Sequence, residues 1–179
     1  IFGIDNSSYV LKLAKKNCKD LLRQKKVFLK LASVYHPPFS DNYFDLVIIH
    51  MAIWYVEDVD KFLANVRKIL KPSGRFIYSI DHPLKWSLYT AIDAVKQDET
   101  DNEQERYLEI RKVKTFNNWL QKQDDLAVYF RPLGWYVNLC GKNGFLTKSM
   151  REPASDMIRQ GKSYKSGIPM KMIIETIKI

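Results

Sequence analysis

One stretch, Asp41 to Asp58, reading DNYFDLVIIHMAIWYVED, restricts what this chain can fold into more than any other. Its centre, Phe44 to Ile49, is a short run that is apolar except for Asp45. Such a run suits a strand buried on both faces of a parallel sheet. The loop that follows, His50 to Glu57, carries His, Met, Trp and Tyr. Open α/β sheets bind ligands beyond the carboxyl ends of their strands, which puts candidate chemistry on this loop. Val59, Phe62, Leu63, Val66 and Leu70 then define one helical face. Lys71-Pro72-Ser73-Gly74 stops that helix, and Arg75 to Ile80 reads as the next strand. Strand, loop, helix, turn and strand make one βαβ unit, so a parallel sheet is predicted.

The flanking sequence extends this pattern. Ile1–Ile4 reads as a strand ended by Asp5, and Ser7 or Ser8 can cap a helix with Val10, Ala14, Cys18 and Leu21 on one side. Val27–Leu31 is a further strand. Val113–Trp119 and Ala127–Phe130 suggest a strand pair. Pro132 suits the first position of a helix that turns Leu133, Tyr136, Val137 and Cys140 inward, with Gly144 beyond its end. Phe145–Met150 and Met170–Ile177 are the last two strands, and the polar, basic connection Ala154–Pro169 reads as a loop or short helix. At 179 residues the chain is one domain by length.

The formal charge of +9 and 13% aromatic residues raise the question of nucleic acid. Two features argue against it. Lys12, Lys15, Lys16, Lys19 and Arg23 crowd one helix as a solvated face would, and Asp98, Glu99, Asp101, Glu103 and Glu105 form an acidic stretch that would repel phosphates. Cys18 and Cys140 read as reduced thiols of a cytoplasmic protein, and neither has metal-ligand spacing with His36, His50 or His82. No apolar stretch reaches membrane-spanning length, and no charged-then-apolar leader is present.

PFSDNYFDLVI, followed by IWYVEDVDKFLANVRKILKPSGRFIYSIDHP, resembles the core of class I methyltransferases that use S-adenosylmethionine. The likeness is to the small-molecule branch known as methyltransferase type 11. It extends to Gly3-Ile4-Asp5-Asn6-Ser7, Arg131-Pro132, Gly144-Phe145 and Glu152-Pro153, leaving out residues 84 to 128. The resemblance implies a three-layer Rossmann-like α/β sheet, mostly parallel, with the last strand antiparallel. Residues 1–179 would be one methyltransferase-like domain with 84–130 as a lid insertion. The seven glycines include no Gly-x-Gly turn, so the first strand and its phosphate-type loop are expected to be absent from this chain. The absent strand would lie between Ile1–Ile4 and Phe44–Ile49, leaving the domain N-terminally incomplete.

The same resemblance, with the strand-end rule, proposes the site. Asp5, beside Asn6, would accept hydrogen bonds from the cofactor's ribose, or else serve as a plain acid at a helix N-terminus. Ser33 stands where the family usually has an acid that contacts adenine, so its hydroxyl or the backbone of Val34 would take that role. His50 and Met51 would border the methionine portion, unless His50 is a hydrogen-bonded structural residue. Trp54 and Tyr55 would wall the pocket or fill core. His82 could act as general base or orient a substrate, or could be a strand-end histidine bonded to backbone. Trp86, Tyr89 and Trp119 would help cover an apolar pocket for a small acceptor. The function implied is methyl transfer from S-adenosylmethionine to a small molecule. The alternatives are a catalytically degenerate interaction module and a nicotinamide-dependent Rossmann oxidoreductase.

Overall fold

The βαβ unit predicted around Phe44 forms the centre of the computed structural model, which describes residues 1–84, 107–115, 126–153, 156–159, 162–165 and 169–179. In chain order the elements are β1 (Phe2–Asp5), α1 (Ser8–Asn17), α2 (Lys19–Arg23), β2 (Phe28–Leu31), β3 (Phe44–His50) and α3 (Val59–Ile69). They continue with β4 (Leu70–Asp81), β5 (Arg111–Thr115), β6 (Leu126–Phe130), α4 (Leu133–Lys142), β7 (Phe145–Arg151), β8 (Asp156–Arg159), β9 (Lys162–Lys165) and β10 (Lys171–Lys178). A 3-10 turn spans Ile53–Tyr55.

The main sheet has the order β3-β4-β10-β7. β3 and β4 are parallel, and β10 is antiparallel to both β4 and β7. Within this sheet only β10 runs against the rest, as predicted for the last strand. β1 and β2 form a separate parallel pair. The expected strand pair after the central unit is present as the antiparallel β5–β6 hairpin.

Local chemistry explains α3. The Asp58 carboxylate accepts from the Lys61 amide at 2.9 Å, Asp60 sits in the first turn, and Arg67 and Lys68 sit in the last. Each charge complements the helix dipole at its own end. Val59, Phe62, Leu63 and Val66 are buried against β4 and α4, in a cluster with Phe76, Tyr78, Ile80, Tyr136, Leu139, Met172 and Ile174. Full burial of each large side chain is worth about 1.5–3 kcal/mol, so this cluster supplies most of the hydrophobic stabilisation.

Several sequence expectations need correction. β3 is not buried on both faces. Val47 and Ile49 face the core, whereas Ile48 is 61% exposed. The ladder explains this: Ile48 lies beside Ile77 and Glu175, on the face opposite the helix-covered Phe76 and Tyr78. α1 is rotated from its predicted orientation, with Leu11 buried while Val10 and, in α2, Leu21 are exposed. Leu70 ends the helical pattern but already belongs to β4, whose extended segment reaches five residues ahead of Arg75. That segment turns at Ser73 (φ +58), and Gly74 is required because a Cβ there would lie 2.8 Å from the Lys71 carbonyl oxygen. The connection after β7, expected to be loop or helix, holds the β8–β9 hairpin.

Candidate functional site

β1 and β3 face each other without pairing. Phe2 meets Phe44 at the start of both strands, with ring centroids 5.8 Å apart. Between them lies a slot of about 240 Å³ lined by Gly3, Ile4, Val47, Ile49, Phe62 and Val66 among others. It occupies the place where the sequence predicted a missing central strand. Four carboxyl-terminal strand ends then carry candidate residues: Asp5 after β1, Ser33 after β2, His50-Met51 after β3, and Asp81-His82 after β4.

Asp5 is half-buried, and its Oδ1 accepts the Ser7 amide at 2.7 Å. This aligns the carboxylate at the start of α1 and leaves its second oxygen for a donor such as a sugar hydroxyl. Asn6, the next residue, is exposed. The Ser33 hydroxyl accepts the Tyr35 amide at 3.2 Å, which holds the turn after β2 and leaves its own proton to donate. Val34 packs on the core cluster, and its carbonyl is 3.5 Å from the Asn65 side-chain nitrogen.

His50 is exposed at the end of β3, with Nδ1 2.7 Å from the Ser79 hydroxyl. Met51 adopts a left-handed backbone (φ +51), and its amide donates to the Ser79 carbonyl at 2.9 Å. That conformation is uncommon for a side-chain-bearing residue and bends the chain away from the sheet edge. Ile53 is then fully buried, while Trp54 is half-buried and Tyr55 is 40% exposed, the two rings meeting edge-on at 6.0 Å. Tyr55 is thus open enough to wall a pocket, and Ile53 supplies the core filling.

His82 has no solvent exposure. Its Nε2 is 2.7 Å from Glu152 Oε1, and its Nδ1 accepts the Leu84 amide at 3.2 Å. The consistent tautomer is neutral with the proton on Nε2, donated to Glu152. Both ring nitrogens are therefore engaged, an arrangement that suits orienting the chain after β4 better than removing a proton. Trp86, Tyr89 and Trp119 lie outside the described residues. The sequence reading singled out neither Ser79 nor Glu152 as a partner. Glu152 entered only through its neighbour proline, and Ser79 is an ordinary strand residue whose role depends on the β3–β4 register.

The described part of the predicted insertion docks on the loop after β3. Glu57 pairs with Lys112 at 3.1 Å. A hydrogen bond from Tyr129 and this pairing hold the Glu57 carboxyl below its usual range. Arg131, which is 5% exposed, donates Nη2 to the Val56 and Glu57 carbonyls at 2.8 and 3.2 Å.

Comparison with known proteins bears on the family and the fold. Residues 1–78 match the family described as a methyltransferase domain. The chain is 33% identical over 75 residues to a demethylmenaquinone methyltransferase of Lactobacillus johnsonii, a match covering 42% of this chain and 31% of that protein. It is 29% identical over 151 residues to the ubiquinone/menaquinone biosynthesis C-methyltransferase UbiE of Rickettsia felis, covering 76% of this chain and 59% of that one. The matches thus span less than two thirds of these relatives. Among solved structures, an S-adenosylmethionine-dependent methyltransferase from Listeria monocytogenes superimposes with a TM-score of 0.71 at 26% identity, over 99% of this chain and 79% of its own. One from Mesorhizobium loti gives a TM-score of 0.69 at 21% identity, over the same shares of 99% and 79%.

Proposed function

Residues 1–78 carry the sequence of a methyltransferase domain and the chain has the fold of S-adenosylmethionine-dependent methyltransferases, and from this premise we propose that it transfers a methyl group from S-adenosylmethionine to a small-molecule acceptor. The observation that supports this reading is that Asp5, Ser33 and His50-Met51 all stand at or just beyond carboxyl-terminal strand ends, where open α/β sheets bind ligands. S-adenosylmethionine supplies an electrophilic methyl group on a sulfonium. Asp5 would hold its ribose, Ser33 and Val34 its adenine, and His50 and Met51 would border its methionine part. Tyr55 and Trp54 would form one wall for the acceptor. His82, bonded at both nitrogens, would fix the chain after β4 instead of acting as a base. Methyl transfer from a sulfonium gains mainly from alignment of donor and acceptor, so a site without a free base is compatible with it.

Calorimetry of the full-length protein with S-adenosylhomocysteine and with NAD tests this reading. Binding of S-adenosylhomocysteine alone, followed by methylation of demethylmenaquinone as a first trial acceptor, is the expected result. Binding of NAD alone would replace the reading by the oxidoreductase, and binding of neither would leave an interaction module.

A further inference from the structure

Arg131 follows β6 directly, and its surroundings are unusual for a surface cation. Its guanidinium lies between the rings of Tyr129 and Trp135, 4.9 and 4.6 Å from their centroids. Nη2 reaches the carbonyls of Val56 and Glu57, and the buried Tyr136 hydroxyl also lies against the guanidinium. Burial pushes the guanidinium pKa down, so the protein has placed a charge where its hydration is poor. If packing alone were needed here, an apolar side chain would do it without the cost of desolvating a charge. What a planar guanidinium can do, and an ammonium cannot, is stay stacked between two rings while one of its nitrogens, Nη2, donates to two successive carbonyls at the end of a turn. Those carbonyls close the 3-10 turn that begins three residues after His50. The hairpin end of this bridge is held independently by the Lys112–Glu57 pair and by the Tyr107 hydroxyl, which accepts the Leu133 amide at 3.1 Å.

We propose that Arg131 is a positioning residue that fastens the β5–β6 hairpin to the loop 51–57, so that ordering of this loop by a bound cofactor is passed to the hairpin. The fastening stands on geometry alone, whereas the transmission rests on the proposed function. Hydrogen exchange on the full-length protein, with and without saturating S-adenosylhomocysteine, separates the two. In Arg131→Lys the charge remains but the planar group stacked between Tyr129 and Trp135 is lost. Without ligand, amides of 55–58 and 127–130 should then exchange about tenfold faster, the scale of one lost charge-assisted hydrogen bond, with β4 and β10 unchanged. Lys112→Ala, which removes an exposed pair, should change them far less. With ligand, the wild type should slow at both 51–57 and 127–130. Arg131→Lys should keep the first effect, with affinity within about threefold, and lose the second. Faster exchange throughout β4 and β10 would reduce Arg131 to a general stabilising residue, and retained slowing at 127–130 would overturn the transmission. If the wild type binds no S-adenosylhomocysteine, the functional reading fails while the unliganded comparison still decides the fastening.

Discussion

Phe28 and Phe76 both lie in strands of a parallel α/β unit, yet Phe28 is 48% exposed and Phe76 is fully buried. The contrast extends to whole regions. Around α3, β4, α4, β7 and β10, apolar residues join one buried cluster. Around β1, α1, α2 and β2, only Leu11 and Val27 are buried, while Phe2, Tyr9, Val10, Leu13, Leu21 and Leu31 stay exposed. Both regions carry amphipathic helices and apolar strands, so local pattern does not separate them. They differ in what faces them. β4 has β3 on one side, β10 on the other and two helices over one face, whereas β1 pairs only with β2 and borders an unfilled slot. An element's stability here depends on the second surface it meets.

The largest expected effect tests this difference directly. Phe76→Ala should lower unfolding stability by about 3–5 kcal/mol, the range for truncating a buried aromatic. Phe28→Ala should lower it by less than about 1 kcal/mol, because it loses mainly its stack on Phe2, at 5.1 Å. Urea titrations of both variants measure the gap, and equal losses would show that the first region is packed as firmly as the second.

The two cysteines probe the same contrast chemically. Cys18, in the first region, is partly accessible, whereas Cys140 is buried against Tyr78, with Sγ 3.4 Å from its hydroxyl. Burial raises the Cys140 thiol above its ordinary value of 9.0. The native state therefore holds this proton more tightly than the unfolded chain. Its contribution to stability is fully present below the ordinary thiol pKa and is lost as pH rises through the folded value. At pH 8 a disulfide reagent should label Cys18 at least about a hundredfold faster than Cys140, because Cys140 must wait for the core to open. Comparable rates in native protein would contradict the core described for α4.

Asp5 separates stability from function within the exposed region. Its carboxylate supports the turn into α1, but in the proposed site it also holds the ribose. Asp5→Ala should weaken S-adenosylmethionine by about 1.5–3 kcal/mol, the scale of lost charged hydrogen bonds. Stability of the α3–β4–β10 region should stay unchanged. Unchanged affinity in calorimetry would leave Asp5 only its bond to Ser7.

The sequence was most readable where one local rule sufficed. The run Phe44–Ile49, the α3 face and the Lys71-Pro72-Ser73-Gly74 stop placed β3, α3 and β4, and the mismatch between β1 and β3 followed from the missing glycine turn. The reading failed where the answer lay across the sheet. Ile48 is exposed because no helix among the described residues covers its face, and a short, largely apolar run cannot encode that. α1 turns on Leu11 because, among the described residues, it packs on β1, β2 and α2. That Asp5 and His50 end β1 and β3 was legible in the sequence. The Glu152 bond to His82 and the Arg131 bonds to Val56 and Glu57 join residues 70 or more apart, and no spacing in the chain announces them.

The smallest expected effect compares two helix caps of the same kind. Asp58 caps α3 with a 2.9 Å bond to Lys61, and Ser7 caps α1 with a 3.3 Å bond to Val10. Removing either side chain leaves one orphan amide at an exposed helix end, and the usual loss is about 1 kcal/mol. The consequence should differ because the helices are anchored differently. α3 unfolds only with the core cluster, so Asp58→Ala should lower global stability by about that amount, seen as a shifted urea midpoint with unchanged slope. α1 can open without the core, so the Ser7→Ala loss should fall on local fraying, raising exchange at Val10 to Ala14 while the urea midpoint moves by less than about 0.3 kcal/mol equivalent. A full shift of the midpoint in Ser7→Ala would mean that the β1–α1–β2 region folds as one cooperative unit with the rest.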